Sequence, residues 1–295
     1  MGAHLMASGT VSPISTSKGP GLNVAVHQFQ YPGQEASAQI LLFASEQQAS
    51  QGMARLVAGA AEQAIKAKGS FTLVLSGGAL IPQLSALVGL KGVDWSKWYI
   101  FYVDERNVPL TSEDSNFKGT TDSLLSKTSI PASQVFALAE GLPVHQAAIN
   151  YEGRLVVLPT TVLPRTPDNF PVFDMVLLGL GPDGHVASLF PNRAAVAEAQ
   201  RWVVPVANSP KPPAERITMT LPVINSAKDV VFVAVGEAKA EVVQRVLEVQ
   251  ALPGALPAQM VRPNAGRLHW ILDVMSAQHL QLSDWADSGR FPRST

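Results

Sequence analysis

Asp183 and His185, an acid and an imidazole two residues apart, lie within the stretch FDMVLLGLGPDGHVASLFP at residues 173–191. Imidazole is the side chain best suited to moving protons near neutral pH, and a carboxylate beside it can fix its tautomer or orient a substrate. The preceding residues indicate how the pair is carried. Met175, Val176, Leu177, Leu178 and Leu180 are continuously apolar, as expected of a parallel strand covered on both faces. Gly179, Gly181 and Gly184 then allow a sharp turn at the strand's carboxyl end, where open α/β sheets bind ligands. Those glycines also spell G-x-G-x-x-G, the dinucleotide fingerprint. Against that reading, Pro191 cuts short the helix that should follow, and Pro182 stiffens a loop that would have to wrap a pyrophosphate. Taken alone, Gly-Pro-Asp-Gly is also an ordinary turn with an incidental histidine.

A second glycine turn, Ser76-Gly77-Gly78, falls between an apolar strand at 71–75 and a helix expected at 79–88. Its backbone N–H groups, the serine hydroxyl and the helix's positive end can converge on one phosphate. No lysine follows in the pattern of a nucleotide-triphosphate loop. Arg106, Lys211, Arg216 and Lys239 occupy comparable positions at the edges of expected strands and helices. Each by itself reads as solvated charge, although Lys239 near a helix start is disfavoured by the dipole. Asp104 and Glu105 close the strand that begins at Trp98; they can act as base, hydroxyl acceptor or, most simply, partner of Arg106. Asn116 follows Asp114-Ser115, which opens the next helix. His4, His27, His145, His269 and His279 show no ligand spacing or acidic neighbour and read as core or surface residues. The G-x-S-x-G, H-E-x-x-H and paired-cysteine motifs are absent, which argues against a serine-hydrolase elbow and a zinc protease.

The elements that must position these residues alternate. A helix from Met53 to Lys68 ends at Gly69, strands are expected at 71–75, 98–103, 202–206, 216–221, 230–235 and 268–273, and a helix at 237–249. Such alternation predicts an α/β fold, a Rossmann-like, mainly parallel sheet with helices on both faces. The segment ANSPKPPAE at 207–215 carries three prolines and is expected as a stiff loop beside a site. With 295 residues, a net charge of −1 and 15% charged residues, the chain can bury a sizeable core and offers no electrostatic case for nucleic acid or an anionic membrane. A small-molecule ligand is favoured. Without cysteine there are no disulfides or thiolate metal sites, and no apolar run reaches membrane-spanning length. Residues 1–22 read as a disordered tail whose first five residues, ahead of Met6, are a cloning remnant; residues 23–295 read as one α/β catalytic domain.

Together, S-G-G after a strand, Asp104-Glu105-Arg106, Asp114-Ser115-Asn116, G-L-G-P-D-G-H-V-A-S-L-F-P, K-P-P-A-E-R-I-T and G-E-A-K-A, in this order from about residue 35 to 275, resemble the 6-phosphogluconolactonase family. The resemblance implies a glucosamine-6-phosphate deaminase-like architecture and hydrolysis of 6-phospho-D-glucono-1,5-lactone in the oxidative pentose phosphate pathway, without metal or organic cofactor. It assigns His185, Asp183 and Arg106 to the reacting centre and Ser76, Gly77, Gly78, Arg216 and Lys239 to the 6-phosphate. Asp104, Asn116 and Lys211 are further substrate contacts. Where the related deaminases carry a glutamate five residues beyond the histidine, this chain has Phe190, which favours lactone hydrolysis over deamination. The expected partner is the sugar-phosphate lactone alone, with a monomer favoured and a cytoplasmic location.

Overall fold

The structure is a computed structural model describing residues 24–31, 37–249 and 256–281; the expected tail at 1–22 lies outside them. Its strands are β1 Val24–Gln30, β2 Ser37–Phe43, β3 Phe71–Leu75, β4 Trp98–Tyr102, β5 Asp104–Arg106, β6 Met175–Leu178, β7 Val203–Val206, β8 Arg216–Met219, β9 Asp229–Ala234 and β10 Arg267–Asp273. Its helices are α1 Glu46–Lys68, α2 Leu80–Gln83, α3 Ser85–Val88, α4 Asn116–Ser123, α5 Val144–Val156, α6 Leu221–Asn225, α7 Ala240–Glu248 and α8 Pro257–Met260. Seven strands form one sheet in the order β1-β2-β10-β9-β6-β3-β4. Only the β1–β2 pair in it is antiparallel.

The sheet is apolar on both faces because neighbouring residues of each strand point opposite ways. Met175 and Leu177 of β6 pack with Leu73, Leu75 and the α1 residues Met53 and Val57. Val176 and Leu178 join Val74, Phe232, Trp270 and the α5 and α7 residues Tyr151 and Val243 on the other side. The helices therefore cover both faces, as the alternating pattern predicts.

Local departures from the sequence expectation have identifiable causes. Helix α1 begins at Glu46, seven residues before Met53, because the Ser45 hydroxyl accepts the Gln48 N–H at 3.3 Å and caps it. The helix expected at 79–88 is two short pieces, α2 and α3. The Leu84 N–H turns to the Ile81 carbonyl at 3.1 Å, three residues back, and the first piece ends there. Asp104-Glu105-Arg106, expected to finish the strand from Trp98, instead forms β5 of a small antiparallel sheet ordered β5-β8-β7.

Buried charge at the amino edge of the large sheet is fully paired. Asp174 accepts from Lys68 (2.9 Å), Lys228 (2.8 Å) and both the N–H and hydroxyl of Thr72. Asp229 is bound by Arg267 at 2.7 Å and lies 3.2 Å from His269, an acidic neighbour that the sequence does not reveal because 40 residues separate the two. These groups tie strand starts together and leave the opposite edge for chemistry.

Candidate active site

Because β9, β6, β3 and β4 are adjacent and parallel, the loops after all four open on the same carboxyl edge. They deliver Gly236 to Lys239, Gly179 to His185, Ser76 to Gly78, and Val103 to Arg106. The loops touch. A Cβ on Gly179 would lie 3.7 Å from the Gly77 carbonyl and 3.8 Å from the Ser76 hydroxyl. The Lys239 amine donates to the Leu180 carbonyl at 2.6 Å.

The turn after β6 is built around His185. The Gly181 N–H donates to the His185 carbonyl at 3.0 Å, and the Gly184 N–H to the Gly181 carbonyl at 2.9 Å. Gly184 sits at φ 80°, a conformation that favours glycine. Gly181 lies so close to the imidazole that a Cβ there would fall 2.0 Å from Nδ1. The Asp183 carboxylate is hydrogen-bonded to Nδ1. A neutral imidazole donating there carries its proton on Nδ1 and keeps Nε2 as the free base. No protein partner occupies Nε2 among the described residues.

Burial lowers the His185 pKa from its ordinary 6.5, outweighing the raising influence of Asp183 and Asp104; Lys211 pushes it further down. For Asp183, burial favours the protonated form, but the His185 hydrogen bond and the charges of His185 and Lys211 prevail and hold the carboxyl below 3.8. The site thus presents an ionised acid and a neutral imidazole at pH 7.

The cations divide by role. Lys211, in the proline-rich loop, reaches to 3.8 Å from the Asp183 carboxylate. Burial lowers the Lys239 pKa from 10.5, helped by the charge of Lys211, so both amines serve one region. Arg216 is only 3% exposed. Its Nε donates to the Pro213 carbonyl (3.0 Å) and its Nη2 to those of Lys211 and Pro212 (both 2.9 Å), which holds the loop against β8. Arg106 stands directly across the strand pair from Arg216, an arrangement that costs energy unless negative charge lies nearby. Its Nη1 donates to the Asp114 carbonyl at 2.6 Å, while its buried Nε has no hydrogen-bond partner.

The Ser76 loop differs from expectation in two respects. The Ser76 N–H is already used, donating to the Leu177 carbonyl at 3.1 Å, so Gly77 and Gly78 are left as the free amide donors expected of this turn. The following helix α2 has one turn, which gives it little macrodipole.

The acids also separate. Glu105, which the sequence pairs most simply with the Arg106 guanidinium, is fully buried and accepts the backbone N–H groups of Arg106, Asn116 and Phe117, each at 2.8 Å, and the Ser115 hydroxyl at 3.2 Å. It fastens β5 to the start of α4, where the Ser115 hydroxyl accepts the Lys118 N–H as cap. Asp104 accepts the Ser188 hydroxyl at 2.8 Å, and Arg216 Nη1 lies 3.4 Å from that same hydroxyl. Ser188 therefore joins a buried carboxylate to a buried guanidinium, a role with no signal in the sequence beyond its place three residues after His185. Asn116 donates to the Asp104 carbonyl at 2.8 Å; its Oδ1 is buried without a partner, against the space a Gly77 side chain would fill.

A doubly covered parallel sheet whose carboxyl edge gathers an acid–histidine pair, a glycine loop, two lysines and two arginines defines an α/β ligand site suited to a small anionic molecule. The family model for glucosamine-6-phosphate isomerases/6-phosphogluconolactonase matches residues 44–270, and the chain belongs to that family. It is 42% identical over 249 residues to the probable 6-phosphogluconolactonase 4, chloroplastic, of Oryza sativa subsp. indica, covering 82% of this chain and 77% of the rice protein. It is 41% identical over 253 residues to the 6-phosphogluconolactonase 3, chloroplastic, of Arabidopsis thaliana, covering 84% and 77%. The solved 6-phosphogluconolactonase of Trypanosoma brucei superposes with a TM-score of 0.71 at 28% identity, covering 83% of this chain and all of that one. A monomeric glucosamine-6-phosphate deaminase shares the fold, with a TM-score of 0.65 at 19% identity. The plant names carry a chloroplast location, which the cytoplasmic expectation does not share. Among the described residues no helix is long and apolar enough to cross a membrane.

Proposed function

We propose that the chain hydrolyses 6-phospho-D-glucono-1,5-lactone to 6-phospho-D-gluconate in a single catalytic domain, with His185 as general base. The observation that carries this reading is the Asp183–His185 pair, whose Nε2 is free at an edge lined by cations and a glycine loop. Neutral His185 takes a proton from water as the water oxygen attacks the lactone carbonyl carbon. The C1–ring oxygen bond then breaks, and the proton passes from His185 to the departing ring oxygen. Asp183 fixes the tautomer. Arg106 stabilises the developing oxyanion or the phosphate.

The Ser76 hydroxyl, the amides of Gly77 and Gly78, Arg216 and Lys239 hold the 6-phosphate. Lys211, Asp104 and Asn116 line the sugar between phosphate and carbonyl. Anchoring the far end turns attack by a positioned water into a nearly intramolecular step. An assay on freshly generated lactone, corrected for spontaneous hydrolysis and run beside glucosamine-6-phosphate, tests the reading. The expected result is enzyme-dependent loss of the lactone and no ammonia from the amino sugar. Ammonia release without lactone hydrolysis would overturn it.

A further inference from the structure

The chain makes two left-handed turns within four residues of the candidate base, at Gly184 (φ 80°) and at Ala187 (φ 51°). Ala187 is not glycine, so this backbone is strained and must be held by its surroundings. What it achieves is a reversal. The Leu189 N–H donates to the Val186 carbonyl at 2.9 Å, and Phe190 is brought back beneath His185. The two ring centroids are 4.5 Å apart with planes inclined at 36°. Phe190 is 1% exposed, and the Arg216 guanidinium lies over its ring at 5.7 Å.

We propose that Phe190 is a positioning residue for His185: its ring walls one side of the imidazole and, together with the close backbone of Gly181, holds Nδ1 on Asp183 so that Nε2 faces the substrate. This rests on His185 being the base. An apolar wall against an imidazole disfavours the charged form and leaves the ring few rotamers. The charged groups around His185 are Asp183 on its own turn, Lys211 from the proline-rich loop and Asp104 from β5. Arg216 from β8 touches Phe190, and Lys239 binds the neighbouring Leu180 carbonyl. None of these residues is itself substituted in the test variants.

The test is Phe190→Leu beside the ring-retaining Phe190→Tyr, with folding checked by circular dichroism and His185 titrated by NMR, its resonance assigned from His185→Ala. In the leucine variant the His185 midpoint is expected to rise towards 6.5, with kcat falling roughly tenfold and KM little changed. The tyrosine variant is expected to restore the wild-type midpoint. A ring that serves only the core lowers the folded fraction and leaves the midpoint where it is, and an unmoved midpoint in folded Phe190→Leu overturns the proposal. NMR reads the midpoint without turnover, so failure of the wild-type protein to hydrolyse the lactone counts against the lactonase reading alone.

Discussion

His185→Ala lowers kcat on the lactone by roughly 100- to 10,000-fold, the span expected when a general base is removed. That corresponds to about 3 to 5 kcal/mol of transition-state stabilisation. The magnitude follows from geometry: Nε2 is the free basic nitrogen on the turn, and Asp183 already occupies Nδ1. Affinity for the phosphorylated product is expected to survive, because the groups assigned to the phosphate sit on other loops. Rates measured on lactone and product affinity measured by calorimetry separate the two effects. A variant with wild-type kcat removes His185 from the reaction, and one that loses product binding equally places it in the cradle.

Gly181→Ala is expected to be almost as damaging without touching a reacting atom. A methyl at this position falls 2.0 Å from Nδ1 and 2.1 Å from Cε1 of His185, well inside contact distance. The backbone of Gly181 cannot retreat freely, since its N–H and carbonyl both close the turn. The imidazole must therefore swing out of line with Asp183. Displacement of a catalytic group by about 1 Å can cost on the order of 100-fold in rate, and overpacking of this kind costs about 1 to 3 kcal/mol of stability. The expected outcome is a folded protein with a modestly lowered Tm, kcat reduced about 100-fold and no NMR signature of the hydrogen bond between His185 and Asp183. Near-normal kcat in Gly181→Ala would mean that the imidazole works from another position.

Which features the sequence reveals depends on how local their causes are. The β6 run and the glycines after it show in sequence because an apolar strand and its turn are written in consecutive residues. The approach of Ser76-Gly77, Gly179 and Lys239 follows once the strands are taken as parallel, since their carboxyl ends must then share an edge. Glu105 misleads because its partners are the backbone amides of Arg106, Asn116 and Phe117, and amides have no letter in a sequence. Arg216 by itself reads as solvated charge and the family resemblance assigns it to the phosphate, yet three of its hydrogen bonds go to carbonyls of the loop at 211–213. A phosphate bound there shares the guanidinium with the loop it holds. The contacts of Ser188 with Asp104 and of Phe190 with His185 escape a sequence reading because only the reversal at Ala187 turns the two side chains back.

The most direct test of a half-buried, neutral His185 as base is the pH dependence of kcat/KM for the wild-type protein on the lactone, corrected at each pH for spontaneous hydrolysis. Since burial lowers the His185 pKa, the basic form persists below the ordinary titration point, and activity is lost only as pH falls through the lowered value. The expected profile is level near pH 7.5 and falls on the acid side with a midpoint below 6.5 that disappears in His185→Ala. A midpoint above 6.5, or an acid limb that persists in that variant, would contradict it.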